Sequence, residues 1–481
     1  MPTRPTLRQQ FLRRKPLHSF TTDSSEAGGL RRTVGLFQLT MIGIGATIGT
    51  GIFFALDSAV PEAGPAVIVS FALAAVVAAL TALCYAELAS AVPVSGSSYS
   101  YAYATLGEFA AWAVGWCLLL EYAVSGAAIA VSWGQYLNDL TERLFGFQMP
   151  AAISAPPGAG GIVNLPGVVL VGLCCLLLVR GAKESAVVNT VMVVVKLGVL
   201  ALFVVVGATA FDAGNLLPFA PMGMAGVSAA AATVFFSFIG LDAVSTAGEE
   251  VRNPRRTLPL AIILALVGVT TVYVLVALVG VGAQPWTRFE GQEAGLSVIL
   301  GSLTGAGWPA VLLSAGAVLS IVSVTLVVLY GQSRILYTMG RDGMLPSAFH
   351  RVSPRTGTPV FTTLLTGGFV ALLAAVFPLD LLTDLTSMGT LVAFAVVSLG
   401  VLILRRTAPN LERGFRVPGY PVVPILSILA CGYLVYELPL ATYLLFGGWL
   451  ALALTVYLLY SRRNSCLETT DTARTLEETP A

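Results

Sequence analysis

The run Ile44-Gly45-Ala46-Thr47-Ile48-Gly49-Thr50-Gly51-Ile52-Phe53 sets three glycines inside a long apolar segment. A helix in lipid must satisfy its own backbone groups, because lipid offers no partners. Glycine weakens the helix, and any N–H or C=O freed at that depth must face protein, water or a ligand. The chemistry on offer is recognition of a small polar solute by main-chain dipoles. Gly45 and Gly49 also fit a small-xxx-small helix contact, and spacing alone leaves both readings open. A second run, Phe235-Phe236-Ser237-Phe238-Ile239-Gly240-Leu241-Asp242, again places a glycine and a carboxylate in an apolar stretch. Glu121 and Lys196 are two further charges deep in apolar segments. Each alone costs about 2.5–3.5 kcal/mol or more at a bilayer centre.

The elements that must position these residues are membrane spans. Of 481 residues, 56% are hydrophobic and 11% charged, and mean hydropathy is +0.85. This excludes an ordinary soluble domain. Apolar runs able to cross a bilayer are predicted at 34–60, 66–91, 109–137, 163–179, 185–208, 227–247, 259–281, 308–331, 359–377, 381–404, 422–438 and 442–460. The expected units are a basic N-terminal segment (1–33), a first five-span half (34–208) and a second (225–404). Two further spans (422–460) and a C-terminal tail (461–481) follow. With both termini cytoplasmic, 23 of the 26 lysines and arginines fall on the cytoplasmic side. Arg143 and Arg288 lie outside and Lys196 lies in a span. That asymmetry sets the orientation in a cell membrane. The tails read as mobile, with Arg13, Arg14 and Lys15 read as solvated topogenic charge in preference to contacts with anionic headgroups. The polar first 33 residues are not a cleavable leader. The six cysteines form no framework, and with only His18 and His350 no metal site is expected.

At about 1.5 Å per residue, the stretch 48–51 lies about 18–22 Å into the first span, and 237–240 about 15–20 Å into the sixth. Both are near the midplane of a core of about 30 Å. Those spans cross in opposite directions. Two weakened helices at matching places in oppositely oriented halves point to an inverted-repeat transporter with a midplane site. Glu121 at about 18 Å and Lys196 at about 16 Å from the same face have the depth to pair. The alternatives are a structural ion pair and a proton-coupling device. Glu87, near the cytoplasmic face, is expected to anchor a loop. Asp242 lies below the second break, either in an inner gate or bonded to local backbone.

The ordered motifs are similar to a known family. Gly45 to Phe53 resembles the first-span signature of the amino acid–polyamine–organocation permeases. Phe235 to Thr246, followed by Glu249-Glu250-Val251-Arg252-Asn253-Pro254, resembles the cationic amino acid transporter branch. So do Cys84-Tyr85-Ala86-Glu87, Gly115-Trp116 with Leu120-Glu121-Tyr122, Gly331-Gln332-Ser333-Arg334, Gly340-Arg341-Asp342-Gly343 and Phe415-Arg416-Val417-Pro418. The resemblance covers about residues 10–460. It implies an all-α LeuT-type 5+5 inverted repeat with twelve transmembrane helices, spans 1 and 6 being broken at the midplane. It implies an amino acid substrate, with its carboxylate on the N–H groups of Gly49, Thr50 and Gly51 beside Ile48. The ammonium would meet carbonyls of Thr47, Phe236 and Ile239, beside Ser237 and Gly240. The substrate side chain would face Ser125, Phe236 and span 8. Lys196 would stand where sodium-coupled relatives hold an ion and, with Glu121, serve proton symport.

Other classes fit less well. No histidine at membrane depth, no HExxH and no nucleophile with a nearby base supports an intramembrane enzyme. No Walker A motif supports an ATP-driven pump, and the spans are too apolar for a channel. An exchanger, an organic-amine carrier or a non-transporting nutrient receptor on the same fold stays open. No cofactor and no nucleic-acid partner is expected; the partners are the substrate, the proton and the bilayer.

Overall fold

The computed structural model describes residues 10–11, 13–15, 34–49, 51–92, 97–180, 186–246, 251–304, 307–353, 356 and 358–467. Thr50, most of 1–33, Glu249, Glu250 and the tail beyond 467 therefore lie outside the described residues. Helix α1 (Leu36–Thr47) is followed by α2 (Gly51–Ala63), α3 (Val67–Ala91), α4 (Ser97–Thr105) and α5 (Glu108–Phe145). Next come α6 (Leu165–Val179), α7 (Ala186–Ala208) and α8 (Gly223–Val234). Helix α8 tightens into a 3-10 turn (Phe235–Phe238) and resumes briefly at Ala243–Thr246. The rest is α9 (Pro254–Ala283), α10 (Gly295–Leu303), α11 (Trp308–Arg341), α12 (Val360–Val376), α13 (Leu379–Thr407), α14 (Val422–Glu437) and α15 (Leu440–Val456).

Local chemistry sets several ends. Asn164 accepts the Gly167 N–H at 2.9 Å and caps α6, with Pro166 in the first turn, where a missing N–H does no harm. Gly146 ends α5 in the left-handed region at φ 65°, the usual place for glycine. Among the described residues, eight helical segments are long and apolar enough to cross a membrane. Four shorter apolar helices accompany them: Leu36–Thr47, Leu165–Val179, Val360–Val376 and Val422–Glu437.

The α1–α2 pair runs alongside the α8 segment in reversed order: Gly226 abuts the Glu62 carbonyl, Gly51 abuts Ser237 and Gly240 abuts Ala46. Farther on, Val34 and Val251 form a single parallel bridge. Helices α5 and α11 pack closely beside them, Trp133 donating to the Val318 carbonyl at 3.1 Å.

Three features depart from expectation. Helix α5 runs on to Phe145, α9 begins at Pro254 and α11 reaches Arg341. Helices α4 and α10 lie in stretches read as loops. Finally, the ends nearest the bundle are packed, not loose. Lys15 pairs with Asp342 at 3.3 Å, the Phe11 ring stacks on Phe109 at 4.8 Å, and Ser465 bonds Glu108 at 2.8 Å. Lys15 is therefore no solvated charge. Protein carboxylates compete successfully with water for it.

Candidate functional site

The first break is a reversal with defined geometry. Ile48 sits at φ −73° and ψ 73°, an inverse γ-turn, and the Gly49 N–H donates to the Thr47 carbonyl at 2.7 Å. That N–H is thus turned back on the chain. Gly49 lies against Val324 of α11, where an added Cβ would come within 3.1 Å. The second break follows the 3-10 turn. Ile239 is extended at ψ 145° and its N–H donates to the Phe236 carbonyl at 3.2 Å. Gly240 then takes φ +100°, a conformation that side chains resist.

The two breaks interlock through their glycines. A Cβ on Gly51 would lie 2.5 Å from the Ser237 Cα, and one on Gly240 would lie 2.7 Å from the Ala46 carbonyl oxygen. Each glycine admits the other segment's backbone. At Gly51 and Gly240 the close packing is present, and it brings the two breaks together.

Tyr273 of α9, fully buried, braces the junction. Its hydroxyl lies 2.8 Å from both the Thr47 and the Ser237 carbonyl oxygens. A hydroxyl has one proton for the two acceptors, so the pair retains capacity for another donor. The sequence reading missed Tyr273. Its signal was a phenol in an otherwise aliphatic span, since a buried Tyr hydroxyl seeks a partner. The Ser237 hydroxyl is buried without a hydrogen-bond partner. Phe236 packs against Phe54 with ring centroids 5.5 Å apart.

The expected Lys196–Glu121 ion pair is not formed. Lys196, 1% exposed, donates to the Gly45 carbonyl at 3.0 Å, so its charge meets the main chain of α1. Glu121 faces elsewhere. Neither of its oxygens has a hydrogen bond of ordinary geometry, Gly389 of α13 lies against its Cβ, and its near polar neighbours are the Thr390 hydroxyl and the like charge of Asp242. Residues expected at one depth on two helices meet only if their faces do. Asp242, just past the second break, receives the Tyr122 hydroxyl at a long 3.4 Å, and its other oxygen is unpartnered. Its carbonyl takes the Ser245 N–H at 2.8 Å. Ser125 donates to the Tyr122 carbonyl at 3.3 Å. It shares a face of α5 with Tyr136, eleven residues on, whose hydroxyl reaches the Phe53 carbonyl at 2.7 Å.

Thr47, Ile48, Gly49, Gly51, Phe236, Ser237, Ile239 and Gly240 therefore meet at one junction. Lys196 touches it from behind α1, and Asp242 and Glu121 lie to one side. Among the described residues no cluster of ligands suits a metal ion.

A profile describing the amino acid permease family matches residues 34–458. A branched-chain amino acid permease of Bacillus subtilis is 43% identical over 465 residues, covering 96% of this chain and 100% of the relative. A methylthioribose transporter of the same organism is 43% identical over 461 residues, covering 95% and 99%. Vacuolar cationic amino acid transporter 4 of Arabidopsis thaliana is 39% identical over 388 residues, covering 79% of this chain and 64% of the relative.

Proposed function

This chain belongs to the amino acid permease family, and on that premise we propose that it is a proton-coupled secondary transporter moving amino acids by alternating access. The observation that carries this is the interlocked junction, where the Thr47 and Ser237 carbonyls share one hydroxyl proton and the Ser237 hydroxyl is unpartnered. A substrate ammonium suits such carbonyls, and a carboxylate suits the N-terminus of α2 at Gly51. The fold proposed is a LeuT-type 5+5 inverted repeat of twelve spans, with spans 11 and 12 outside it. The lysine and arginine asymmetry supports cytoplasmic termini in the cell membrane.

The roles proposed are these. Thr47, Phe236 and Ile239 serve the ammonium, Thr50 and Gly51 the carboxylate, and Ile48, Gly49, Ser237 and Gly240 shape the site, the Gly49 N–H being taken by the Thr47 carbonyl. Ser125, Phe236 and Val324 of span 8 meet the side chain, an apolar lining suited to a neutral aliphatic substrate. Glu121, with Asp242 beside it, takes the coupling proton. Lys196 holds the broken span through Gly45 and completes the coupling path, and Asp242 joins the inner gate. The methylthioribose transporter relative favours one second reading, a carrier of small thioether solutes. An exchanger or a nutrient receptor would bind amino acids without gradient-driven accumulation.

The test is uptake of labelled amino acids into proteoliposomes under an inward proton gradient, with equilibrium binding alongside. Lys196→Ala and Glu121→Gln are expected to bind substrate but lose accumulation. Gradient-dependent accumulation retained by both variants would refute the coupling roles, and displacement by methylthioribose but by no amino acid would favour the second reading.

A further inference from the structure

The chain's two ends meet at one end of the bundle around Glu108 and Asp342. Glu108, fully buried at the start of α5, receives the Tyr457 hydroxyl at 3.1 Å and the Ser465 hydroxyl at 2.8 Å. Its own N–H donates to the Arg13 carbonyl at 2.8 Å. Asp342, after α11, receives Lys15 at 3.3 Å and the Tyr99 hydroxyl at 2.9 Å, and its carbonyl takes the Cys466 N–H at 3.1 Å. Ser461 donates to the Met344 carbonyl at 2.7 Å. The backbone of Asn464 passes so close to Gly343, at φ +76°, that a side chain there would collide with it. A π-helical turn at Tyr457–Ser461 aims these two hydroxyls inward; such turns cluster at functional positions.

What this knot holds is α4. Every residue of Ser97–Thr105 is buried. At its start, Ser97 takes the Ser245 hydroxyl at 3.1 Å, immediately after the second break, and Ser98 bonds the Tyr85 hydroxyl. At its far end the Tyr103 carbonyl takes the Lys15 N–H at 3.3 Å. Helix α4 thus runs from beneath the second break to the knot.

We propose that segment 457–467 is a latch: through Tyr457 and Ser465 on Glu108, it clamps α4 as the seal between the junction and the cytoplasm. This rests on the alternating-access reading above. Opening toward the cytoplasm requires α4 to shift, and each latch contact sets how often it does so. The C-terminal segment thereby tunes the inward-opening equilibrium without touching substrate.

The test is hydrogen exchange in purified full-length protein, comparing wild type with Tyr457→Phe, Ser465→Ala and the double variant. Phenylalanine keeps the ring packed on Phe109 and Trp112. Each single variant is expected to speed exchange across 97–105 about fivefold, the factor for losing one ordinary hydrogen bond, with α6 and α12 unchanged. Unchanged exchange in 97–105 in the double variant would overturn the latch. So would an equal rise in α6 and α12, which marks general loosening. Wild type with saturating amino acid is the separate control. If exchange around 44–49 and 235–240 does not slow there, the transport reading fails, whatever the variants do to α4.

Discussion

Glu87 and Glu121 are each 1% exposed, yet their surroundings are opposites. Glu87 accepts a bidentate fork from Arg405 at 2.8 and 2.5 Å and the Val417 N–H at 2.7 Å, with Arg413 at 3.3 Å. Arg405 also lies over the Tyr420 ring at 4.3 Å, and Arg413 donates to the Leu404 and Ala408 carbonyls. Glu121 has no cation and no backbone N–H on it, only the Thr390 hydroxyl nearby. Buried polar groups are ordinarily satisfied, and exceptions need a reason. Around Glu87 the charges close a structural joint between α3 and the 408–421 connection. Around the broken helices, Glu121, Asp242 and Ser237 keep unfilled capacity, which is what the proposed site requires.

That contrast can be broken most forcefully at Glu87. Glu87→Ala strands two guanidinium groups, and removing one partner of a buried pair costs about 3–5 kcal/mol. Thermal unfolding is expected to show a large drop in Tm, with substrate affinity unchanged in protein that stays folded. Gly240→Ala comes next. It forces a side chain into φ +100° against the Ala46 carbonyl, and strain of this kind costs about 1–3 kcal/mol. Because the strain lies at the junction, calorimetry of amino acid binding should show weakened affinity along with the lower Tm. Tyr273→Phe removes one hydroxyl and keeps the ring on Phe238. About 1 kcal/mol is expected, read as a few-fold loss of affinity. Glu121→Gln sharpens the comparison from the other side. An acid with no cation on it has little to lose, so Tm is expected to be unchanged or raised. An equally large Tm loss in Glu87→Ala and Glu121→Gln would erase the distinction.

The parts visible in sequence are those where one residue type has one physical meaning. Glycines at 49, 51 and 240 in apolar runs marked both breaks, because lipid punishes loose backbone. Glu87 near a span end marked a loop anchor. What escaped depends on which way a helix faces. Lys196 and Glu121 share an expected depth, but one turns to the Gly45 carbonyl and the other toward Asp242, a rotation no composition reports. Tyr273 was hidden because a lone tyrosine is common in spans, and its role exists only where two other segments meet. Helix α4 was read as loop because Ser97-Ser98-Tyr99-Ser100-Tyr101 is polar for a buried element; the hydroxyls of Ser97, Ser98 and Tyr99 are engaged by Ser245, Tyr85 and Asp342, contacts made across the fold.

The central claim is that the interlocked breaks form the amino acid site. The most direct measurement is equilibrium binding of labelled amino acids to wild type and Gly51→Val, each checked for folding by its melting curve. A valine at 51 must push Ser237 away, separating the Thr47 and Ser237 carbonyls that Tyr273 now spans. The account predicts saturable binding to wild type and loss of at least about tenfold in affinity, at least about 1.4 kcal/mol, in folded Gly51→Val. Native affinity in that variant, or wild type that binds no amino acid at all, would contradict it.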